Sequence, residues 1–232
     1  MKRILALLLI LSLVLCGCGS SKEPAGQITP QTEAPATEAP QAEDKALSIG
    51  RIEGGTYTNE YIGIGCVMDE NWSIYSAEEL QQLPGNVQEL MEGSELADAM
   101  EDYQQIFDMQ AENVNDLLSV NVVYTKVGMQ ERLAYAMLSE EQIIDSMLEQ
   151  ADLIIQSYEQ AGMTVKTMEK IKVNFLGEEH FATYTEAETQ GVPIYMVQLT
   201  NYHLGAYGVT MTCTSYLENN TQTILDMFYV VE

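Results

Sequence analysis

The sequence is poor in the residues and motifs on which most catalytic and metal sites depend. It has only two histidines, His180 and His203, which stand in different segments with no partner at a zinc-ligand spacing. A Gly-x-Ser-x-Gly elbow and a glycine-rich phosphate loop are both absent. The segment from Asp69 to Leu80 fails as a calcium loop, because Ile74 replaces the glycine of its sharp turn. We therefore predict no metal, no cofactor and no catalytic residue, and the sequence leans against an enzyme without excluding one.

Basic residues are also scarce, at ten against thirty-five acidic ones, for a net charge of −25. Such a surface repels phosphate backbones and anionic lipid headgroups, which disfavours nucleic-acid binding and electrostatic adsorption to membranes. The acidic residues are scattered along the chain, which favours a solvated surface over a cation trap. Divalent-cation binding and hydrolysis by paired carboxylates remain as alternative functions.

A long apolar run occurs only at the start of the chain. Met1, Lys2 and Arg3 form a short cationic head, and residues 4–15 form an apolar run broken only by Ser12. A helix that crosses a bilayer needs roughly twenty residues, and this run is much shorter. The pattern is typical of a signal peptide that is cleaved from the mature protein.

Leu15-Cys16-Gly17-Cys18 follows directly and resembles the lipobox of bacterial lipoproteins, although Cys16 departs from the usual small or aliphatic residue. The resemblance implies cleavage between Gly17 and Cys18, because the processing peptidase takes a small residue before the cysteine. It further implies a diacylglyceryl group, with chains such as palmitate, on the Cys18 thiol. Residues 1–17 would then be a lipoprotein signal peptide, and the mature protein would be anchored on the extracytoplasmic face of the cell membrane. An ordinary secretory signal is the alternative.

Composition divides the mature chain into two parts. Residues 18–48 hold the lipidated cysteine and a linker rich in Pro, Ala, Thr and Glu, which cannot bury enough apolar surface to offset its ordering entropy. We expect a disordered tether there. Residues 49–232 have regularly spaced apolar residues and suit one folded domain.

Periodicity predicts a mixture of strands and helices in this domain. The expected strands are 56–60, 62–68, 107–111, 120–124, 169–176, 179–187, 192–202 and 206–216, with 113–116 as a hairpin turn. The expected helices are 76–83 and 87–100, separated by Pro84-Gly85-Asn86, and a last short helix that begins near Thr221 and buries Ile224, Leu225 and Phe228.

The clearest helix begins at Ser139, which has capping-box spacing to Gln142. Apolar residues then repeat on one face, and Gly162 is placed to end the helix in a left-handed conformation. The pattern predicts one amphipathic helix that packs on a sheet.

This order of elements resembles the group of PsbP, Mog1 and DcrB-like proteins. The similar segments are 55–61 leading to Asn71-Trp72, the capped helix from Ser139, and the turn from Gly177 to His180. The resemblance implies an α+β fold with an antiparallel sheet flanked by helices, as in an α/β/α sandwich. It carries over no catalytic residue, because the group shares no active site.

Cys66 and Cys213 each fall in an apolar predicted strand. A disulfide is one alternative, since an exported compartment permits oxidation. Two buried free thiols are favoured, because free cysteine packs readily as a small hydrophobe. The thirteen methionines form no close cluster and suggest core filling. The thirteen tyrosines, with threonines on the strands, could form a glycan or peptide platform, although ordinary sheet packing is favoured.

These features favour a noncatalytic binding or accessory module of the cell envelope. Its partners would be the membrane, through the lipid anchor, and an unidentified protein, peptide or envelope ligand.

Overall fold

The structure is a computed structural model, which describes residues 47–83, 105–204 and 206–231. In the first half, the described residues form six strands and one helix: β1 Arg51–Glu53, β2 Thr56–Asn59, β3 Ile64–Val67, β4 Trp72–Ile74, α1 77–83, β5 Gln105–Asn113 and β6 Leu118–Lys126. The second half begins with three helices: α2 Met129–Tyr135, α3 Glu140–Leu148 and α4 Ala151–Gln160. A meander and a short end segment follow: β7 Thr164–Phe175, β8 Glu178–Thr189, β9 Val192–Leu204, β10 Tyr207–Tyr216, α5 Thr221–Leu225 and β11 Phe228–Val230.

The strands form two antiparallel sheets. The large sheet has seven strands in the order β4-β5-β6-β10-β9-β8-β7, and the small sheet has four in the order β1-β2-β3-β11. Short hairpins make most of the connections, as expected for antiparallel neighbours. The predicted α+β class, with an antiparallel sheet flanked by helices, is confirmed.

The two faces of the large sheet carry separate cores. Because side chains alternate along a strand, Val123 packs on one face with residues of α3 and α4, while Val122 packs on the other with the small sheet and α5. Ile144, Ile154 and Tyr158 are the most deeply buried helical residues of the first core. We predicted helices on both faces of the sheet. On one face of the large sheet, the structure instead has the small sheet together with α5.

The amphipathic segment that begins at Ser139 is two helices, not one. The capping box is confirmed, because Ser139 and Gln142 each bond the other's backbone amide. Gly162 has the expected left-handed backbone, with φ of 85°. The first helix ends at Leu148, and Gln150 departs from helical geometry, with φ of −108° and ψ of 16°. Because the sheet is twisted, two short helices can each pack an apolar face on it more closely than one straight helix of the same total length.

Most predicted strands are confirmed, including the hairpin of β5 and β6 and the meander of β7 to β10. Three short strands, β1, β4 and β11, were not predicted, and Phe228 lies in β11 instead of the last helix. The predicted helix 87–100 and the break at Pro84-Gly85-Asn86 lie outside the described residues. Within the described ranges, no helix has both the length and the apolar character needed to cross a bilayer.

Candidate functional site: a cleft where strands β8 and β9 separate

The large sheet forks between β8 and β9. These strands pair from Thr189 opposite Val192 as far as Thr183 opposite Gln198. Beyond that point, residues 178–182 of β8 remain paired with β7, and residues 199–204 of β9 follow β10 instead. The two strands therefore diverge over the first five residues of β8 and the last six of β9.

Glu140, the first residue of α3, fills part of this fork. Its Oε2 accepts a hydrogen bond from the backbone amide of Phe181 at 3.0 Å, and its Oε1 lies 2.9 Å from Nδ1 of His180. In a continuous sheet, a carbonyl of β9 would accept from such an amide. The carboxylate thus replaces a strand acceptor, and the capping box of Ser139 and Gln142 fixes the start of the helix that carries it.

A cavity of about 230 Å³ lies at the fork on the side of the small sheet. Its lining is mainly apolar and comes from the loop before β3, from β3, β6, the β7–β8 hairpin, β9 and β10: Ile62, Ile64, Val122, Phe175, Leu176, Leu199, Val209 and Met211. Four polar residues complete it: Glu140, His180, Thr200 and Asn201. We call this cavity the fork cleft.

The tip of the β7–β8 hairpin packs against the cleft. Leu176 and Gly177 both have positive φ, at 55° and 86°, which is the geometry of a two-residue type I′ turn. A leucine rarely adopts this conformation, so its side chain lines the cleft at some cost in backbone strain. Phe175 packs edge-on against both His180 and Phe228, with ring centroids 6.0 and 5.9 Å apart.

Two buried carboxyls have raised pKa values, but they lie outside the fork cleft. Burial raises the pKa of Asp108, against the lowering effect of hydrogen bonds from Tyr57, Gly50 and Asn59. Burial likewise raises the pKa of Glu112, which accepts a hydrogen bond from the Tyr75 hydroxyl at 3.0 Å. Asp108 and Glu112 are four positions apart along β5, so their Cα atoms are roughly 13 Å apart, whereas the paired carboxyl groups of glycosidases are about 5–9.5 Å apart. They do not form the pair that the hydrolase hypothesis requires.

The remaining residues singled out in the sequence are dispersed. His180 lies on β8 in the fork, and His203 lies on β9. Across the parts of the chain that the structure describes, no three His, Cys, Asp or Glu side chains are grouped to hold a metal ion. Gly17 and Cys18 precede the described residues, so signal cleavage and lipidation stay predictions.

Cys66 and Cys213 are both free and buried, on β3 and β10. They belong to the same core between the two sheets. Burial raises the pKa of Cys66 to about 12. Burial, and secondarily the charge of Cys66, raise the pKa of Cys213. Both side chains therefore pack as neutral thiols at physiological pH.

Sequence reasoning missed Glu140 as a site residue. Its only local signal is its position directly after the cap residue Ser139, which any acidic first turn shares. His180 was recognised only as part of a turn. Their contact joins residues forty positions apart, and the separation of β8 from β9 is a long-range feature without a local pattern.

No protein-family model matches the sequence, and neither does any curated protein. Among solved structures, the fold is similar to the solution structure of cyanobacterial PsbP (CyanoP) from Synechocystis sp. PCC 6803. The TM-score is 0.42 and the identity 7%, over 82% of this chain and 97% of that one. The likeness concerns the fold alone, and no residue, ligand or partner is carried over from it.

Proposed function

We propose that the chain is an exported lipoprotein whose folded part is a noncatalytic binding module. The module would hold an apolar side chain of a protein or peptide partner in the fork cleft. The main observation behind this proposal is the cleft itself. β8 and β9 are not paired there, and an apolar cavity of about 230 Å³ lies where they separate.

The size and lining of the cleft favour a side chain over a whole small molecule. Pockets for drug-sized ligands are roughly 300–1,000 Å³, so this cavity is too small to enclose one. Eight of its twelve lining residues are apolar, which suits a phenylalanine or leucine side chain. Burial of such a side chain contributes about 1.5–3 kcal/mol. A partner would add contacts around the rim of the cavity.

The polar groups of the cleft support binding rather than turnover. The Glu140 carboxylate uses one oxygen for the Phe181 amide and the other for His180. These bonds hold α3 and the β7–β8 hairpin together, so both side chains already have a structural role. A nucleophile adjacent to a base, which covalent catalysis requires, is not formed by this pair.

The anchor is supported by the order of cationic head, short apolar run and small residue before Cys18. In expressing bacteria, we expect labelled palmitate to be incorporated and the protein to fractionate with membranes. The Cys18→Ser variant should lose both properties. Cys16→Ser is the matched control and should keep both, because residue 16 leaves with the signal peptide. Palmitate labelling of Cys18→Ser, or a mature protein that starts at Met1, would contradict the anchor.

The cleft is tested with N-acetyl-L-phenylalaninamide as the probe, by saturation-transfer NMR. Burial of one aromatic side chain, at about 1.5–3 kcal/mol, predicts a dissociation constant on the order of tens of millimolar. Val209→Trp should abolish the signal by filling the cleft, whereas Val114→Trp, at an exposed turn, should leave it unchanged. Equal binding by both variants would refute the cleft as the site.

A partner is sought with the folded part, residues 46–232, as bait in envelope extracts. Capture that Val209→Trp abolishes and Val114→Trp preserves would support the module.

The two alternative functions have their own tests. A rise in melting temperature with calcium or magnesium would favour cation binding, and turnover of an envelope substrate would favour a hydrolase.

A further inference from the structure

Helix α2 exposes an apolar stripe to solvent. Met129 and Leu133 are 76% and 68% exposed, and Met137, one turn further, is 87% exposed. The spacing of four residues places Met129 and Leu133 on the same face of the helix, and Met137 follows in the turn that continues from it. Met137 lies two residues past the end of α2, in a tighter turn: the amide of Ala136 still donates to the carbonyl of Arg132, and the amide of Met137 donates to the carbonyl of Ala134, three residues back. We call these three side chains the α2 stripe. A contiguous exposed apolar patch commonly marks an interaction surface.

The α2 stripe lies at the end of the large sheet where the N-terminal segment joins the domain. The amide of Gly50 donates to the Asp108 carboxylate on β5 at 2.6 Å. Asp108 sits beside Val123 and Val122 of β6, at a bulge in the pairing of the two strands. From there β6 continues for about 10 Å to its end at Lys126, directly before α2. The N-terminal segment and the start of α2 therefore lie toward the same end of the large sheet.

The chain outside the described residues has the length to keep this end near a membrane. Twenty-eight residues, 19–46, separate Cys18 from the first described residue. A chain of that length reaches at most about 100 Å when fully extended. A lipid on Cys18 would hold the stripe near the bilayer surface at a high effective concentration.

We propose that the α2 stripe lies on the lipid bilayer, with Met129, Leu133 and Met137 inserted at the headgroup boundary. This inference rests on the proposed lipid anchor. A short apolar helical face binds a membrane weakly by itself, and the tether supplies the rest of the attachment. The net charge of −25 repels anionic headgroups, so the surface that suits the stripe is zwitterionic. The contact would orient the domain on the membrane.

The test uses the acylated protein reconstituted in phosphatidylcholine vesicles, with an NBD fluorophore on Met137→Cys. Cys66 and Cys213 are buried and remain unlabelled in the native protein. NBD on Val114→Cys is the matched control, because Val114 is 66% exposed in the β5–β6 turn at the opposite end of β6. We expect a blue shift, about a twofold rise in intensity and quenching by spin-labelled lipid at position 137 only. Leu133→Ser should reduce the change at position 137.

The outcomes separate the stripe from the anchor. Flotation with the vesicles, together with protection of position 137 and not of position 114, supports the inference. Flotation with position 137 as solvent-exposed as position 114 overturns the inference and leaves the anchor intact. Protein that fails to float contradicts the anchor, and the bilayer contact falls with it.

Discussion

Two neighbouring rows of residues cross the large sheet side by side and differ in chemistry at almost every position. The first is the apolar row, on the face toward the small sheet, and runs through β5, β6, β10, β9 and β8: Ala111, Val120, Cys213, Val197 and Tyr184. The polar row is offset by one residue on each strand, on the opposite face: Gln110, Asn121, Thr212, Gln198 and Thr183. All five members of the polar row are buried.

Hydrogen bonding in the polar row is incomplete. Gln198 donates to the hydroxyl of Thr212 at 3.2 Å, whereas Asn121 Oδ1 and Thr183 Oγ1 have no protein partner. A buried polar atom without a partner costs about 1–3 kcal/mol. Both rows are largely buried, but we expect the apolar row to contribute more to the free energy of unfolding than the polar row. Burial also excludes these threonines from an exposed glycan or peptide platform.

The largest expected effect comes from a polar residue in the apolar row. Val120→Asn buries an amide where valine now packs at 0% exposure, and should lower the free energy of unfolding by about 3–5 kcal/mol. Urea denaturation measures the loss. Val114→Asn, at an exposed turn, should change stability by less than about 0.5 kcal/mol. A small loss in Val120→Asn would show that the apolar row is not tightly packed.

A smaller effect is expected at the cysteine of the same row. Cys213→Ser introduces a hydroxyl without a partner and should cost about 1–3 kcal/mol. For the folded part, residues 46–232, Ellman titration should find two thiols after denaturation and very slow reaction in the native state, since burial raises both pKa values. Denatured, unreduced protein without thiols would instead establish the Cys66–Cys213 disulfide.

A titratable residue, Glu112, lies next to the polar row. It is two residues from Gln110 on β5 and is paired with Ser119 of β6. Its pKa is raised by burial, so the folded protein holds this proton more tightly than the unfolded chain. Relative to Glu112→Gln, the free energy of unfolding of the wild type should fall as pH rises above the ordinary value of 4.5. Parallel denaturation curves across that range test the sign. A wild type that gains relative stability with rising pH would contradict it.

The smallest effect is expected at Asn121. Replacement by valine removes an acceptor that has no protein partner and adds a residue suited to strands. Asn121→Val should therefore change stability by about 1 kcal/mol or less, in either direction. Chemical denaturation beside Val120→Asn gives the comparison directly. A loss as large as that of Val120→Asn would show that the polar row is as important as the apolar one.

Local patterns made much of the fold predictable. Alternation along 107–111 and 120–124 gave the β5–β6 hairpin, and the Ser139 capping box gave the start of α3. Strands of three residues, such as β4 and β11, are too short for a periodic signal and form because a longer neighbour pairs with them. Phe228, in β11, was predicted to be helical because Ile224 and Leu225 precede it at helical spacing.

The candidate site was far less predictable than the fold. The type I′ turn at Leu176-Gly177 has a local signature, but the fork depends on which residues of β9 stay paired with β8. The role of Glu140 depends on the approach of α3 to the fork, which is set by tertiary packing. Likewise, the polar row alternates with apolar residues as an exposed face would, so sequence pattern alone could not reveal its burial.

The central claim, that the fork cleft binds an apolar side chain, is tested most directly by methyl NMR of the folded part during titration with N-acetyl-L-phenylalaninamide. We predict saturable shifts at the methyl groups of Ile64, Leu199 and Val209, with no such shift at Val114. N-acetyl-L-alaninamide should leave all of these signals unchanged. Saturable shifts at other methyl groups with none in the cleft, or no saturable shift at all, would contradict the claim.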